Sequence, residues 1–317
     1  MKADLIFLFS LFILASCGNP SLAAYPPDAV LTRASLADLA ETIAAREAAW
    51  KDLRPGAEKE ILWAGKPGEK TAYSVVYIHG LAACRQETAP LADEIAKRLG
   101  ANLFYTRLTG HGLPPRYLGE ATRGDWYRDA ADALAVGKAL GDRVILVGTS
   151  TGATLVTWLL ERYGADVSAA VLLSPNFTPK NGSAELLTIP VLNQVIRAVV
   201  LGDTYRIHPK NYSNGVFWTT NYPSRTLIEM MLMVKEVREG DLARVSAPVL
   251  VLYNPKDNVV NEGRTREIFP KFVHSRYKEI VEITNATDPH VIAGDIMSPE
   301  STATIRDLVL EFIRKGK

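Results

Sequence analysis

The chain has 317 residues, 47% of them hydrophobic and 22% charged, a composition that excludes disorder and collagen. A formal net charge of +1 gives no electrostatic footprint for nucleic acid as a main partner. The two cysteines, Cys17 and Cys84, can build neither a disulfide framework nor a zinc cluster.

Leu5 to Ala15 is apolar apart from Ser10, and is too short to cross a bilayer, which takes about 20 helical residues. Behind Met1 and Lys2 it reads as a secretory signal, although Asp4 offsets Lys2. The run ends in Leu14-Ala15-Ser16-Cys17, which resembles the bacterial lipobox. That resemblance implies a signal peptide over 1–16, lipidation of Cys17 and attachment to a membrane through the N-terminal lipid. Gly18, where an aspartate would resemble an inner-membrane retention signal, points to an outer-membrane lipoprotein of the cell envelope. The alternative is a plain signal cleaved after Ala23, giving a soluble periplasmic or secreted protein. Cys84 then lacks an intramolecular partner and reads as a small buried thiol.

Residues 17–34 read as a tether, proline-rich and polar from Asn19 to Asp28. Ser35 opens a helix with Asp38 as its capping-box partner, and Pro55-Gly56 closes it. Short apolar runs then alternate with helical patterns. Strands are predicted at Ser74–Ile78, Asn102–Tyr105, Val144–Val147, Ala170–Leu173, Val249–Leu252 and Glu279–Ile283. Helices are predicted at Ala89–Leu99, Trp126–Leu140, Thr151–Tyr163 and Ser301–Ile313. Buried β runs between helices indicate an α/β fold, a mostly parallel sheet covered on both faces. Thr178 to Val245 contains no clear strand, and reads as a helical cap over 178–245 inserted between core segments 35–177 and 246–317. Its apolar, methionine-bearing stretch Ile228 to Val234 is expected to help line a cleft.

Gly148-Thr149-Ser150-Thr151-Gly152 joins a predicted strand to a predicted helix. In that context G-x-S-x-G describes a sharp turn that lifts a serine hydroxyl clear of the sheet edge. Ser150 is the candidate nucleophile. A serine needs a base and the base an orienting acid, in the chain order serine, acid, histidine. His208 falls in the cap and His274 precedes the last strand, whereas His290 follows that strand at the catalytic edge and is the candidate base. Asp257, on the loop after Val249–Leu252, is the candidate acid. Glu262 is its nearest rival, Asp288 reads as a turn residue, and Asp295 is a further carboxylate. The Leu81 and Thr151 amides are the candidate oxyanion donors, with His79 anchoring the first loop and His111 a structural hydrogen-bonder.

His79-Gly80, Gly110-His111-Gly112, the GTSTG turn, Asp257 and His290 together resemble the α/β-hydrolase superfamily, in the branch of monoacylglycerol lipases, carboxylesterases and serine aminopeptidases. The resemblance spans about Glu58 to the C-terminus. Thr149 and Thr151 depart from residues the family often carries, and cap sequences vary freely in it. The expectation is a serine hydrolase of carboxylic esters with an apolar acyl group, acting on a small-molecule or lipid ester. No metal or organic cofactor and no protein partner is implied. A peptidase or amidase of the same fold and a non-catalytic envelope lipoprotein are the alternatives.

Overall fold

The computed structural model describes residues 25–316. The signal peptide 1–16, Cys17 and the tether as far as residue 24 lie outside the described residues.

In the first half of the chain the elements are α1 (Ala29–Arg33), α2 (Leu36–Ala48), β1 (Glu60–Leu62), β2 (Thr71–Ile78), α3 (Leu91–Leu99), β3 (Asn102–Tyr105), α4 (Pro115–Glu120), α5 (Arg123–Leu140), β4 (Gly141–Thr149) and α6 (Thr151–Tyr163). The second half adds β5 (Val167–Leu173), α7 (Leu192–Ile196), β6 (Thr204–Arg206), α8 (Tyr212–Phe217), β7 (Asn221–Pro223), α9 (Arg225–Arg238), β8 (Val249–Tyr253), α10 (Glu262–Ile268), β9 (Lys278–Glu282) and α11 (Pro299–Lys315). Seven strands form one sheet in the order β1-β3-β2-β4-β5-β8-β9, parallel except where β1 pairs antiparallel with β3.

The period of two along each strand divides the core between the two faces. Val76, Ile78 and Leu146 join the apolar cluster that holds Trp126 and Leu134 of α5 and Leu155 and Leu159 of α6. Val75, Tyr77, Ile145 and Val147 join the other, with Leu91 and Ile95 of α3 and Ile305, Val309 and Phe312 of α11. Strand order reverses between β2 and β4, so their carboxyl ends flank the crevice where α/β sheets bind ligands.

Three expectations need correction. Residues 25–34 do not hang free as the end of a tether. Tyr25 lies 5.1 Å from the Tyr127 ring and 6.1 Å from the Trp158 ring, and Leu31 is buried. Those contacts, at about 0.5–1.5 kcal/mol per aromatic pair beyond burial, outweigh the exposed Arg46–Asp28 ion pair, worth about 0–1 kcal/mol. The helix opened by Ser35 ends at Ala48, before Pro55-Gly56. The cap is not purely helical, because β6 and β7 pair antiparallel with Tyr205 opposite Tyr222. The cap also shares the core, since Met231, Met233 and Val234 of α9 are fully buried in the cluster of α5 and α6. Among the described residues, no helix is long and apolar enough to cross a membrane.

Candidate active site

β4 ends at Thr149 and α6 begins at Thr151, so Ser150 alone makes the turn between them. The turn closes only because the chain is bare at its crossing. A Cβ on Gly152 would stand 2.0 Å from the Ile78 carbonyl oxygen, so glycine is required there. Ser150 itself has φ +53° and ψ −116°, a backbone conformation that costs a non-glycine residue about 1–3 kcal/mol. It is held by its N–H donating to the Leu173 carbonyl at 2.8 Å and its carbonyl accepting from the Asn176 N–H at 3.1 Å. The hydroxyl thereby stands at the sheet's carboxyl edge.

Ser150 Oγ lies 3.0 Å from His290 Nε2, and His290 Nδ1 lies 2.9 Å from Asp257 Oδ2. Asp257 is 1% exposed, and its Oδ1 accepts the Val259 and Val260 N–H groups at 2.8 and 2.9 Å. An acceptor-only carboxylate at Nδ1 fixes the tautomer: Nδ1 carries the proton, and Nε2 is free to accept the serine's. Burial alone would pull the His290 pKa down. The hydrogen bond and charge of Asp257 overcome this, with help from Glu87 and Asp288, and set it above its ordinary 6.5.

No other carboxylate or histidine among the described residues is hydrogen-bonded to Ser150 or to His290 Nε2. Glu262 pairs with Lys180 Nζ at 2.6 Å, which holds its carboxyl below the usual range. Asp288 Oδ1 accepts the N–H groups of His290 and Val291 at 2.9 and 2.8 Å, a turn role, while Oδ2 meets Lys210 of the cap. The Asp295 N–H donates to the Ala89 carbonyl. His274 bonds the Ala243 carbonyl at the surface. His208 lines the cavity, with no hydrogen bond to Ser150 among the described residues. His79 Nε2 accepts the Leu108 N–H at 3.1 Å, so its Nδ1 proton goes to the Gly80 carbonyl at 2.8 Å. Burial pulls His79 down to about 4, which keeps it neutral and suits an anchor of the Gly80–Leu81 turn. His111 is buried edge-on against His79, 4.8 Å away, and bonds the Thr109 carbonyl. Cys84 is buried, and burial pushes its thiol up to about 12, outside the reactive range.

Ser150, His290, Leu81 and Thr151 all face one cavity of about 530 Å³ between sheet edge and cap. Met230 and Met231 of α9 line it, as the Ile228–Val234 stretch suggested, with Leu187, Ile196 and Leu201. Two residues at the site carry no sequence signal that singles them out. Lys210 looks like any cap lysine until it pairs with Asp288. Glu87 lies in a polar loop seven residues beyond Gly80, yet is buried with its Oε2 on the Gly80 N–H.

A profile of the serine aminopeptidase family S33 matches residues 69–287. No curated protein is matched by the sequence. Among solved structures, the chain is similar to one of the metagenome-derived lipolytic enzymes LipS and LipT, at 20% identity and a TM-score of 0.69 over 83% of this chain and 99% of that one. It is similar to the monoacylglycerol lipase of Paleococcus ferrophilus, at 17% identity and a TM-score of 0.61 over 82% of this chain and 98% of the other. A soluble variant of the Saccharomyces cerevisiae monoglyceride lipase gives 12% identity and a TM-score of 0.62, over 82% and 92%. These likenesses establish the fold.

Proposed function

Because the chain belongs to the serine aminopeptidase S33 family of α/β-hydrolases, we propose that it cleaves carboxylic esters with an apolar acyl group through an acyl-enzyme intermediate. The observation that carries this reading is the Ser150–His290–Asp257 hydrogen-bond chain opening into a cavity with an apolar, methionine-bearing wall. Ser150 Oγ attacks the ester carbonyl while His290 Nε2 takes its proton. Asp257 orients the ring and stabilises the imidazolium. The carbonyl oxygen, now negative, is met by the Leu81 and Thr151 amides. His290 then returns the proton to the leaving alkoxide, and water, deprotonated by the same nitrogen, releases the acid and frees Ser150. Lipolytic structural neighbours support an ester substrate.

An aminopeptidase would want a free carboxylate in the cavity for the substrate amine. Most cap carboxylates are engaged instead, Glu185 and Glu239 by Arg238, Glu229 and Glu236 by Arg123, Asp203 by Arg197, and Asp241 does not line the cavity. The acids that line the cavity are Asp288, paired with Lys210, and Glu87, whose Oε2 is committed to the Gly80 N–H and the Tyr77 hydroxyl. That distribution favours the ester over the peptide.

The decisive experiment labels purified protein with a fluorophosphonate and then offers matched p-nitrophenyl esters and anilides. Labelling with ester turnover is expected. Absence of both removes the reading, and anilides cleaved as fast as esters would replace it with the peptidase. Within the ester panel, each methylene buried against the cap contributes up to about 0.8 kcal/mol, a factor of roughly four. kcat/KM is therefore expected to climb from acetyl toward medium chains, and to fall at least about tenfold for an acyl group ending in a carboxylate. Equal turnover of the charged ester would remove the apolar acyl assignment.

His290 must be neutral to act, and its pKa lies above 6.5. The rate is expected to be suppressed while the ring is protonated and to rise as pH passes that raised value, so half-maximal kcat/KM falls on the alkaline side of 6.5. A profile flat from about pH 5 to about pH 9, with chemistry rate-limiting, would reject a histidine base.

A further inference from the structure

Glu87 closes the short turn Arg85–Glu87 and is 2% exposed. Its Oε2 accepts the Gly80 N–H at 2.8 Å and the Tyr77 hydroxyl at 3.0 Å. Tyr77 in turn reaches Thr149 Oγ1 at 3.1 Å, next to the nucleophile. Glu87 Oε1 makes no hydrogen bond among the described residues, and the side chain borders the cavity with Ser150 and His290. The fit is close. A Cβ on Gly80 would stand 2.6 Å from Glu87 Oε1 and 3.3 Å from Ser150 Cβ, so carboxylate, turn and nucleophile pack against one another.

A buried carboxylate without a lysine or arginine is an unfavourable group to carry, and its two hydrogen bonds do not require a charge. A neutral acceptor of the same shape would satisfy the Gly80 N–H and the Tyr77 hydroxyl equally well. Glu87 and His290 border the same cavity, and the Glu87 carboxylate, when ionised, helps to raise the His290 pKa. From this we infer that Glu87 is a positioning residue of the reaction: it holds the Gly80–Leu81 turn where the Leu81 N–H meets the oxyanion, and it sets a carboxylate on the wall of the cavity that His290 also borders. The inference rests on the ester-hydrolase reading.

The titratable neighbours are few. Tyr77 faces Glu87 from β2 and Cys84 from the same loop, and His290 faces it across the cavity. Around His290 stand Asp257 and Asp288, the latter paired with Lys210. Burial and the Glu87 charge push Tyr77 well above 10, and burial pushes Cys84 up to about 12, so neither exchanges a proton near neutrality. Burial raises Glu87 to about 7, and Asp257 holds His290 above 6.5, with Glu87 and His290 each acting on the other's charge.

Two variants separate position from charge. Glu87→Leu removes the acceptor for the Gly80 N–H, whereas Glu87→Gln keeps an oxygen there and removes only the charge. Glu87→Leu is expected to lower kcat by roughly 10- to 100-fold with KM within about threefold. Glu87→Gln is expected to restore kcat to within about threefold of wild type, while the acid limb of kcat/KM moves to lower pH because His290 loses an anionic neighbour. Thermal melting gives a readout independent of turnover. The folded-state pKa of Glu87 lies above its unfolded value of 4.5, so wild type loses stability as pH rises from 4.5 through about 7. Glu87→Gln is spared that loss, so its Tm should exceed the wild-type Tm at about pH 8 and the gap should close near about pH 5. A wild-type kcat in Glu87→Leu, an unmoved acid limb in Glu87→Gln, or a lower Tm for Glu87→Gln at alkaline pH would each overturn the inference. If wild type neither labels with fluorophosphonate nor cleaves esters, the ester-hydrolase reading falls and the inference falls with it.

Discussion

Ser150→Ala is expected to lower kcat by about 10⁴- to 10⁶-fold and to abolish fluorophosphonate labelling, with the fold intact. The size follows from the arrangement. The hydroxyl is 3.0 Å from His290 Nε2, and no other hydroxyl is hydrogen-bonded to that nitrogen among the described residues. Removing it leaves only cavity binding and two amides to assist water, which in comparable serine enzymes retains about 10³–10⁴ over the uncatalysed rate. In the proposed mechanism Ser150 and His290 act as one unit, so adding His290→Ala to Ser150→Ala should lower the rate by no more than a few-fold. Full additivity of the two substitutions, or a Ser150→Ala protein still labelled and still within about tenfold of wild type, would remove Ser150 from the chemistry. Melting temperatures of all three proteins guard against misfolding as the cause.

The second large effect concerns the third member of the chain. Asp257→Asn preserves shape but can present an amide to His290 Nδ1, which favours the tautomer whose Nε2 carries a proton and cannot accept the serine's. A loss of about 10²–10⁴ in kcat is expected, against about 10⁴ in the serine-protease case. Glu262→Gln should change kcat by less than about tenfold, because its carboxylate is committed to Lys180 at 2.6 Å. The two carboxylates differ in rigidity as well as direction. Asp257, four residues past β8, is fixed by the Val259 and Val260 amides, whereas Glu262 starts α10 and pairs with an exposed lysine. A near-wild-type Asp257→Asn beside a crippled Glu262→Gln would reassign the acid.

The sequence made some of this legible for definite physical reasons. Strands such as Val144–Val147 and Val249–Leu252 are apolar on both faces because helices cover both sides, and a short uninterrupted apolar run rich in valine and isoleucine between helical patterns has few other readings. Chain order then put Asp257 and His290 on loops at the same sheet edge as Ser150, and those three side chains are the ones in hydrogen-bond contact. The antiparallel pairing of β6 and β7 across α8 was not legible. Each strand has three residues, β6 is exposed, β7 ends in proline, and their pairing is a long-range contact that local pattern does not encode. β1, equally short, was missed for the same reason. Glu87 was hidden differently. A glutamate in a polar loop is ordinarily solvated, and only the packing of that loop against Gly80 and Ser150 shows that this one is not.

The left-handed backbone of Ser150 sets selection for durability against selection for chemistry at a single codon. Glycine would relieve the strained φ of +53° at that turn, and the melting point would rise. It would also delete the proposed nucleophile. A screen for thermostable variants run without an activity filter should therefore drift toward glycine at position 150 and return robust, inert proteins. Any stabilised version intended for catalysis has to gain its increments elsewhere, on surfaces remote from the elbow.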